Sequence, residues 1–419
     1  MPHHLHILGY PGDVGGANTE LWHTVKLWRG LGWQVTLVPT WSADPTWRGR
    51  LDALGCRTIE TTPERLDRVP GLAGSVVVGM CNTHFLTAAD RLRKMGCHLV
   101  WVGCMNWLFA EERRHYRRRG LFDRYVFQSR YQRDQLVPQL RRFGFRNDQG
   151  RIIRGTLDPS EFPFRPRPHQ PDEAFVIGRI SRAAPDKFHR DTWQIYGRTP
   201  YPIRSRMLGF NDEVQTIIGP PPPWTEVLAP GSESPQRFLS SLHAVVHAGG
   251  EAVENWPRVG LEAMAAGVPL VVDRRGGWCE MVHHGETGFL CRDADDFAFH
   301  TALLARDETL RQQIIRQARE RLLNELIHPQ HIRLAWSELF SRDALASGSA
   351  AKCKNRGLAP NATYFTLPRG GSDAVAAGEG FKTSGFSRDL PYPLVPRDPP
   401  GGRVKSKVMP KVSNDPFNC

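Results

Sequence analysis

A chain of 419 residues, 40% hydrophobic and 10% aromatic, holds apolar material for the cores of two or three domains. No run of about 18 apolar residues occurs and no charged-then-apolar leader opens the chain, which excludes a membrane span and points to a cytoplasmic protein. The formal net charge of +12 divides unevenly: residues 343–419 hold 11 basic and 6 acidic side chains and supply +5, leaving +7 for the body.

The first predicted strand is Leu5–Tyr10, which runs into a glycine turn ending at Gly15 and Gly16. Leu21, Val25 and Trp28 then recur at helical spacing, Gly30 and Gly32 stop that helix, and Trp33–Val38 reads as the next strand. A βαβ unit with glycine at the carboxyl end of its first strand lets a ligand approach the backbone, although the dehydrogenase spacing Gly-x-Gly-x-x-Gly is absent. Strand-like runs follow at Ser75–Gly79, His98–Val102, Arg124–Phe127 and Arg151–Arg154, mostly separated by segments long enough for crossover helices. Positive charge is dense from Arg113 to Arg119 and continues through Arg124, Arg130, Arg133, Arg141, Arg142 and Arg146. Three readings compete there: a solvated helix face, electrostatic docking on an anionic leaflet, and a nucleic-acid surface. The last is disfavoured, because no binding motif accompanies the charge and Phe122, Tyr125 and Phe127 look like core.

Pro159–Pro171 has the composition of a linker. A second alternating set then comprises Ala174–Arg179, Ser205–Gly209, Gln215–Ile218, Ala244–His247 and Leu270–Asp273, all taken as strands. The predicted fold class is therefore α/β: two Rossmann-like domains, 1–165 and 166–330, facing across a cleft with ligands at the carboxyl ends of the strands. Residues 331–342 form a last amphipathic helix. Residues 343–419, rich in Gly, Pro, Ser and Lys without an apolar period, are expected to be disordered. The eight cysteines contain no Cys-x-x-Cys pair and read as reduced thiols.

Chemistry concentrates between Glu254 and Gly267, Glu-Asn-Trp-Pro-Arg-Val-Gly-Leu-Glu-Ala-Met-Ala-Ala-Gly. Pro257 suits the first position of a helix and Gly267 its closing C′ position. Glu262 then falls in the second turn, and Glu254 just before the helix start. Unpaired N–H groups and the positive dipole end there suit a diphosphate, while two carboxylates can accept bonds from sugar hydroxyls. The competing reading makes them ordinary helix-start and helix-surface acids. Upstream, Gly178-Arg179 and Lys187 put two cations at the cleft mouth, able to stabilise charge on a departing phosphate oxygen.

With the buried-strand run Val268–Asp273, Arg274-Arg-Gly276-Gly277-Trp-Cys-Glu280 and Gly285-Glu-Thr-Gly288, the chain resembles the retaining, nucleotide-sugar-dependent glycosyltransferases of the GT-B fold, group 1 (family 4). The resemblance spans residues 1 to about 342 and is more specific in the C-terminal half. It implies that Arg179 and Lys187 clamp the donor diphosphate without a metal, that Glu254 contacts the donor sugar and that Glu262 contacts the ribose. It further implies that backbone amides near Gly15, Gly16, Gly276 and Gly277 touch phosphate or sugar, and that the last helix crosses back to the first domain. Retention would come from same-face attack, the leaving phosphate helping to remove the acceptor proton, with no dedicated general base. Many relatives have a histidine where this chain reads Cys104-Met105-Asn106. His84 is its nearest substitute, and His84 and Asn106 are candidate acceptor or sugar contacts. A structural place for His84 is the competing reading. Pro257 stands where relatives often have glycine, which removes one main-chain N–H. The implied partners are a nucleotide-diphosphate sugar and a glycan, lipid or small-molecule acceptor, with peripheral contact at an anionic membrane and no nucleic acid. A non-catalytic nucleotide- or sugar-binding protein of the same fold is the alternative. His243 and His247 have metal-like spacing but fall on a predicted strand without a third ligand. No metal or cofactor is expected, the nucleotide sugar being a substrate.

Overall fold

The computed structural model describes residues 4–12, 15–80 and 82–341; the expected tail at 343–419 lies outside them. The apolar runs form two parallel sheets. In the first, β1 (His4–Ile7), β2 (Gln34–Leu37), β3 (Arg57–Thr58), β4 (Val76–Met80), β5 (His98–Val102), β6 (Arg124–Phe127) and β7 (Gly150–Ile152) take the order β3-β2-β1-β4-β5-β6-β7. In the second, β8 (Phe175–Ile180), β9 (Ile203–Leu208), β10 (Thr225–Leu228), β11 (Ala244–His247), β12 (Leu270–Asp273) and β13 (Phe289–Cys291) take the order β10-β9-β8-β11-β12-β13. Strands such as β6 and β11 are buried along their whole length. Helices cover both faces of a parallel sheet, so continuous apolar runs replace alternation. The strand order reverses between β1 and β4 and again between β8 and β11, which opens a crevice at the carboxyl end of each pair.

One predicted strand is a helix. Gln215–Ile218 belongs to the helix Asp212–Ile218, because the Asn211 side chain accepts from Val214 N, Asp212 and Glu213 complement the dipole, and Gly219 at φ +81 ends it. Three short strands, β3, β10 and β13, lacked a sequence signal strong enough to be read. Predicted core aromatics Phe122, Tyr125 and Phe127 are buried, as is Arg124.

The helix Pro329–Leu339 packs on the first domain. Trp336 meets Trp28 edge-on at 5.0 Å between ring centroids, and Phe340 lies 5.9 Å from Trp33. These residues and Leu339 join the core beneath β1 and β2, which ties the segment after the second sheet back to the first domain. No helix among the described residues is long and apolar enough to cross a membrane.

Candidate functional site

The site grows from the carboxyl ends of β8, β11 and β12. After β11 the chain turns at Gly249 and Gly250, reaches Glu254, and enters the helix Arg258–Ala266, which ends at Gly267 with φ 85 and ψ 39. Pro257 has ψ 113 and is the cap rather than the first helical residue, one position from expectation. Glu254 Oε1 accepts from Lys187 Nζ at 3.0 Å and lies 3.7 Å from His247 Nε2. Burial, with Arg179, Lys187 and Arg275 nearby, holds the His247 pKa well below its ordinary value, so the ring is neutral.

Lys187 closes a short turn, Pro185–Lys187, bound to the β11 loop through Gly250 N to Lys187 O (3.0 Å) and Ala252 N to Asp186 O (2.8 Å). A Cβ on Gly250 would lie 2.5 Å from the Asp186 and Phe188 carbonyl oxygens, so this close approach requires glycine. Asp273, at the end of β12, accepts from Gly249 N at 2.9 Å and pairs with Arg275, which also reaches Gly250 O. Sequence reasoning missed Asp273 and weighed His247 only as a metal ligand. Their positions at strand carboxyl ends were the available signal.

Arg179 departs from expectation. Strand β8, expected to end at Arg179, continues to Ile180, so residue 179 lies within the sheet instead of at the cleft mouth, and its side chain is 0% exposed. The guanidinium donates to Ala248 O at 2.5 Å and to Lys187 O, and sits 4.4 Å above the Phe188 ring. It braces the turn that carries Lys187. Burial lowers its pKa from the usual arginine value.

Glu262 does fall in the second turn, but it is only 6% exposed and makes no hydrogen bond to another described residue. Burial raises its pKa, opposed by Arg258 one turn earlier. Arg258 reaches Glu20 at 2.8 Å and Thr156 O at 2.5 Å, both on the first-domain side. Gly16 faces that arginine, since a Cβ there would be 3.6 Å from its side chain, whereas none of the described residues lies within 4 Å of one on Gly15 at φ 98. Gly16 of one domain thus meets the helix start of the other.

Gly276 and Gly277 sit behind Glu254. Gly277 N donates to Glu254 O at 2.8 Å. A Cβ on Gly276 would be 2.3 Å from that oxygen, and one on Gly277 1.6 Å from Asn255 O. The Gly277 amide expected to touch donor is therefore spent on the backbone that carries Glu254. Asn106 Nδ2 donates to Val253 O at 2.7 Å, crossing between domains. His84 is exposed at the start of the helix Thr83–Lys94, 4.4 Å from the Trp41 ring and 3.1 Å from Thr40 Oγ1, with Tyr10 5.5 Å beyond Trp41.

His243 and His247 lie at opposite ends of β11 and do not act together. A group not foreseen from the sequence gathers His169, Glu173 and His243, their ligand atoms within 4.8 Å of one another. Val176 N donates to His243 Nδ1, which leaves Nε2 to carry the proton of the neutral ring, facing Glu173 Oε1 at 3.2 Å. Arg167 takes the other carboxylate oxygen at 2.7 Å. The group is a carboxylate already held by donors, a poor cation site.

Residues 226–321 match the family model described as glycosyl transferases group 1. A stretch of 69 residues is 42% identical to N-acetyl-alpha-D-glucosaminyl L-malate synthase of Bacillus anthracis, covering 16% of this chain and 18% of that protein. Among solved structures, Anabaena HepE in complex with UDP and glucose superposes with a TM-score of 0.64 at 16% identity, over 80% of this chain and 98% of that one. TarM of S. aureus gives 0.65 at 11% identity, over 81% and 99%. The fold is GT-B: two Rossmann-like domains with a cleft between them.

Proposed function

We propose that this chain is a retaining glycosyltransferase that moves a sugar from a nucleoside-diphosphate donor to an acceptor. The observation that carries the reading is the cluster at the β8–β11 reversal. There Lys187 is paired with Glu254 at a helix start, and the buried, unbonded carboxylate of Glu262 lies eight residues on. The group 1 match over residues 226–321 and the UDP-glucose complex of Anabaena HepE support a nucleotide-sugar donor, with UDP sugars as the first class to try.

In this mechanism the donor diphosphate rests on the helix start and on Lys187, which neutralise the charge that develops as the bond from sugar C1 to phosphate oxygen breaks. Glu254, released from Lys187, accepts from sugar hydroxyls, and Glu262 accepts from the ribose. Arg179 contributes by bracing Lys187. The acceptor hydroxyl attacks C1 on the face the phosphate leaves, and its proton passes to the leaving phosphate oxygen, which preserves the anomeric configuration. Charge neutralisation by the chain's own cations makes the proposed reaction metal-independent. The acceptor approaches from the first domain, where Tyr10, Trp41 and His84 offer an aromatic surface. Peripheral docking on anionic lipid would use the helix Ala110–Arg119, whose Arg113, Arg114, Arg117, Arg118 and Arg119 are exposed while Glu112 and Tyr116 are buried.

The test is a thermal-shift screen with UDP-, GDP- and ADP-sugars, since a ligand that binds only the folded state raises its melting temperature, followed by NMR of the product's anomeric proton. A donor-specific shift with a retained anomer is expected. No shift with any sugar nucleotide would defeat the reading, and binding without turnover would leave a non-catalytic sugar-nucleotide protein.

A further inference from the structure

We infer that Asn255, with Asn106, Gln128 and Ser129 of the first domain, is a clasp that positions Glu254, so that the donor-sugar carboxylate is aligned by the acceptor-side domain. The inference rests on the donor role of Glu254 proposed above.

Asn255 follows Glu254 directly and is 6% exposed. Its hydrogen-bonding side-chain atoms are used on the other domain. Oδ1 accepts from Ser129 Oγ at 2.6 Å, while Nδ2 donates to Gln128 Oε1 at 3.0 Å and to Cys104 O at 3.4 Å. On the other flank of Glu254, Asn106 donates to Val253 O. The two residues that bracket Glu254 are thus both tied across the domain boundary, while the Glu254 carbonyl is held within its own domain by Gly277 N.

The first-domain partners are themselves fixed. Gln132 Nε2 donates to Gly103 O and Met105 O at 2.9 Å, locking the loop that carries Cys104 and Asn106. Its Oε1 accepts from Gln128 N at 2.7 Å, and Ser129 Oγ caps the helix Arg130–Arg141 by accepting from Gln132 N at 3.0 Å. A second tie runs in parallel: Glu280, in the helix Trp278–Met281 that begins after Gly277, accepts from Arg130 N at 3.1 Å and Tyr131 N at 2.8 Å. A carboxylate at a helix N-terminus complements its unpaired N–H groups and dipole. A buried amide bonded entirely to the opposite domain is satisfied only while the domains are together. When they part, the backbone on both sides of Glu254 loses its anchors. Arranged this way, Glu254 reaches its working geometry only in the closed arrangement, and small misplacement of a reacting group is costly to rate.

The experiment compares the full-length parent with Asn106→Ala, Gln128→Ala, Asn255→Ala and the Gln128→Ala/Asn255→Ala double variant, using UDP and UDP-glucose as probes. Hydrogen exchange at Gly277 in the ligand-free protein, whose amide donates to Glu254 O, should accelerate at least about 10-fold in each variant, while strands β8 and β12 keep their protection. UDP affinity should stay within about 2-fold, and kcat with UDP-glucose should fall about 10-fold or more with KM changed less than about 3-fold. The double variant should lose less than the product of the two singles, because they share one bond. Unchanged exchange at Gly277 overturns the clasp whether or not UDP-glucose is a donor. Accelerated exchange with parental kcat, or loss of UDP affinity in step with kcat, overturns the positioning role. A parent that binds neither probe counts against UDP as the donor base, and the exchange result then decides the clasp.

Discussion

Arg179→Ala separates a bracing role from a direct phosphate clamp. The substitution removes a fully buried guanidinium, its bonds to Ala248 O and Lys187 O, and its contact with Phe188. Charge-assisted hydrogen bonds contribute about 1.5–3 kcal/mol each, and a desolvated cation–π contact adds about 1–2 kcal/mol. Against this stands relief of the desolvation that depresses the arginine pKa, an effective cost of several kcal/mol for a buried ion. A net loss of about 2–4 kcal/mol remains, chiefly because Ala248 O loses its buried donor while Lys187 O keeps only Gly250 N. For a domain of this size that corresponds to roughly 5–15 °C in melting temperature. Thermal unfolding of the ligand-free full chain, followed by circular dichroism, should show the decrease, and Arg179→Lys should recover part of it. If Arg179→Ala melts within about 1 °C of the parent yet loses donor affinity, Arg179 grips the diphosphate itself and the bracing argument is refuted.

Glu254→Gln keeps the side chain's size and removes its charge from beside Lys187; turnover should fall by about 10², or roughly 3 kcal/mol, with melting nearly unchanged, and parental rates would remove Glu254 from the site. His6, His23, His115 and His243 are held neutral by burial, with pKa values lowered to about 4, 3, 4 and 4. The native state therefore binds fewer protons than the unfolded chain below about pH 6.5, and this stability, fully present above that pH, is lost as pH falls toward 4. Urea midpoints should drop between pH 7.5 and 5.0, and equal midpoints would contradict the assignment. Glu112 acts in the opposite sense: burial raises its carboxyl to about 7, so stability declines as pH rises from about 4.5 through 7. Glu112→Gln, which can still accept from Phe109 N, should raise the midpoint at pH 8 but not at pH 4.5. Changing Arg117, Arg118 and Arg119 together to Gln should weaken binding to anionic vesicles by roughly 1 kcal/mol per charge and flatten its salt dependence; binding that ignores the change leaves only a solvated helix face.

Local signals made much of this protein legible from its sequence. Apolar runs bounded by turn residues marked most strands, because a strand buried on both faces must be apolar wherever it sits. Pro257 and Gly267 bounded the helix that carries Glu262 to within a residue, since φ restriction and left-handed backbone are properties of the residues themselves. Tertiary structure decided what each polar group does. Gln215–Ile218 is as apolar as a strand, and the Asn211 cap with Gly219 made it a helix. Arg179 adjoins a loop in sequence, but β8 extends past it and directs its guanidinium under the Lys187 turn. The Gly277 amide could have met a ligand, and the fold spends it on Glu254 O. Asn255 is one polar residue among many until Gln128 and Ser129, more than a hundred positions away, close around it. Periodicity and caps depend on neighbours within a turn or two, whereas a hydrogen-bond partner is chosen by the packing of distant segments.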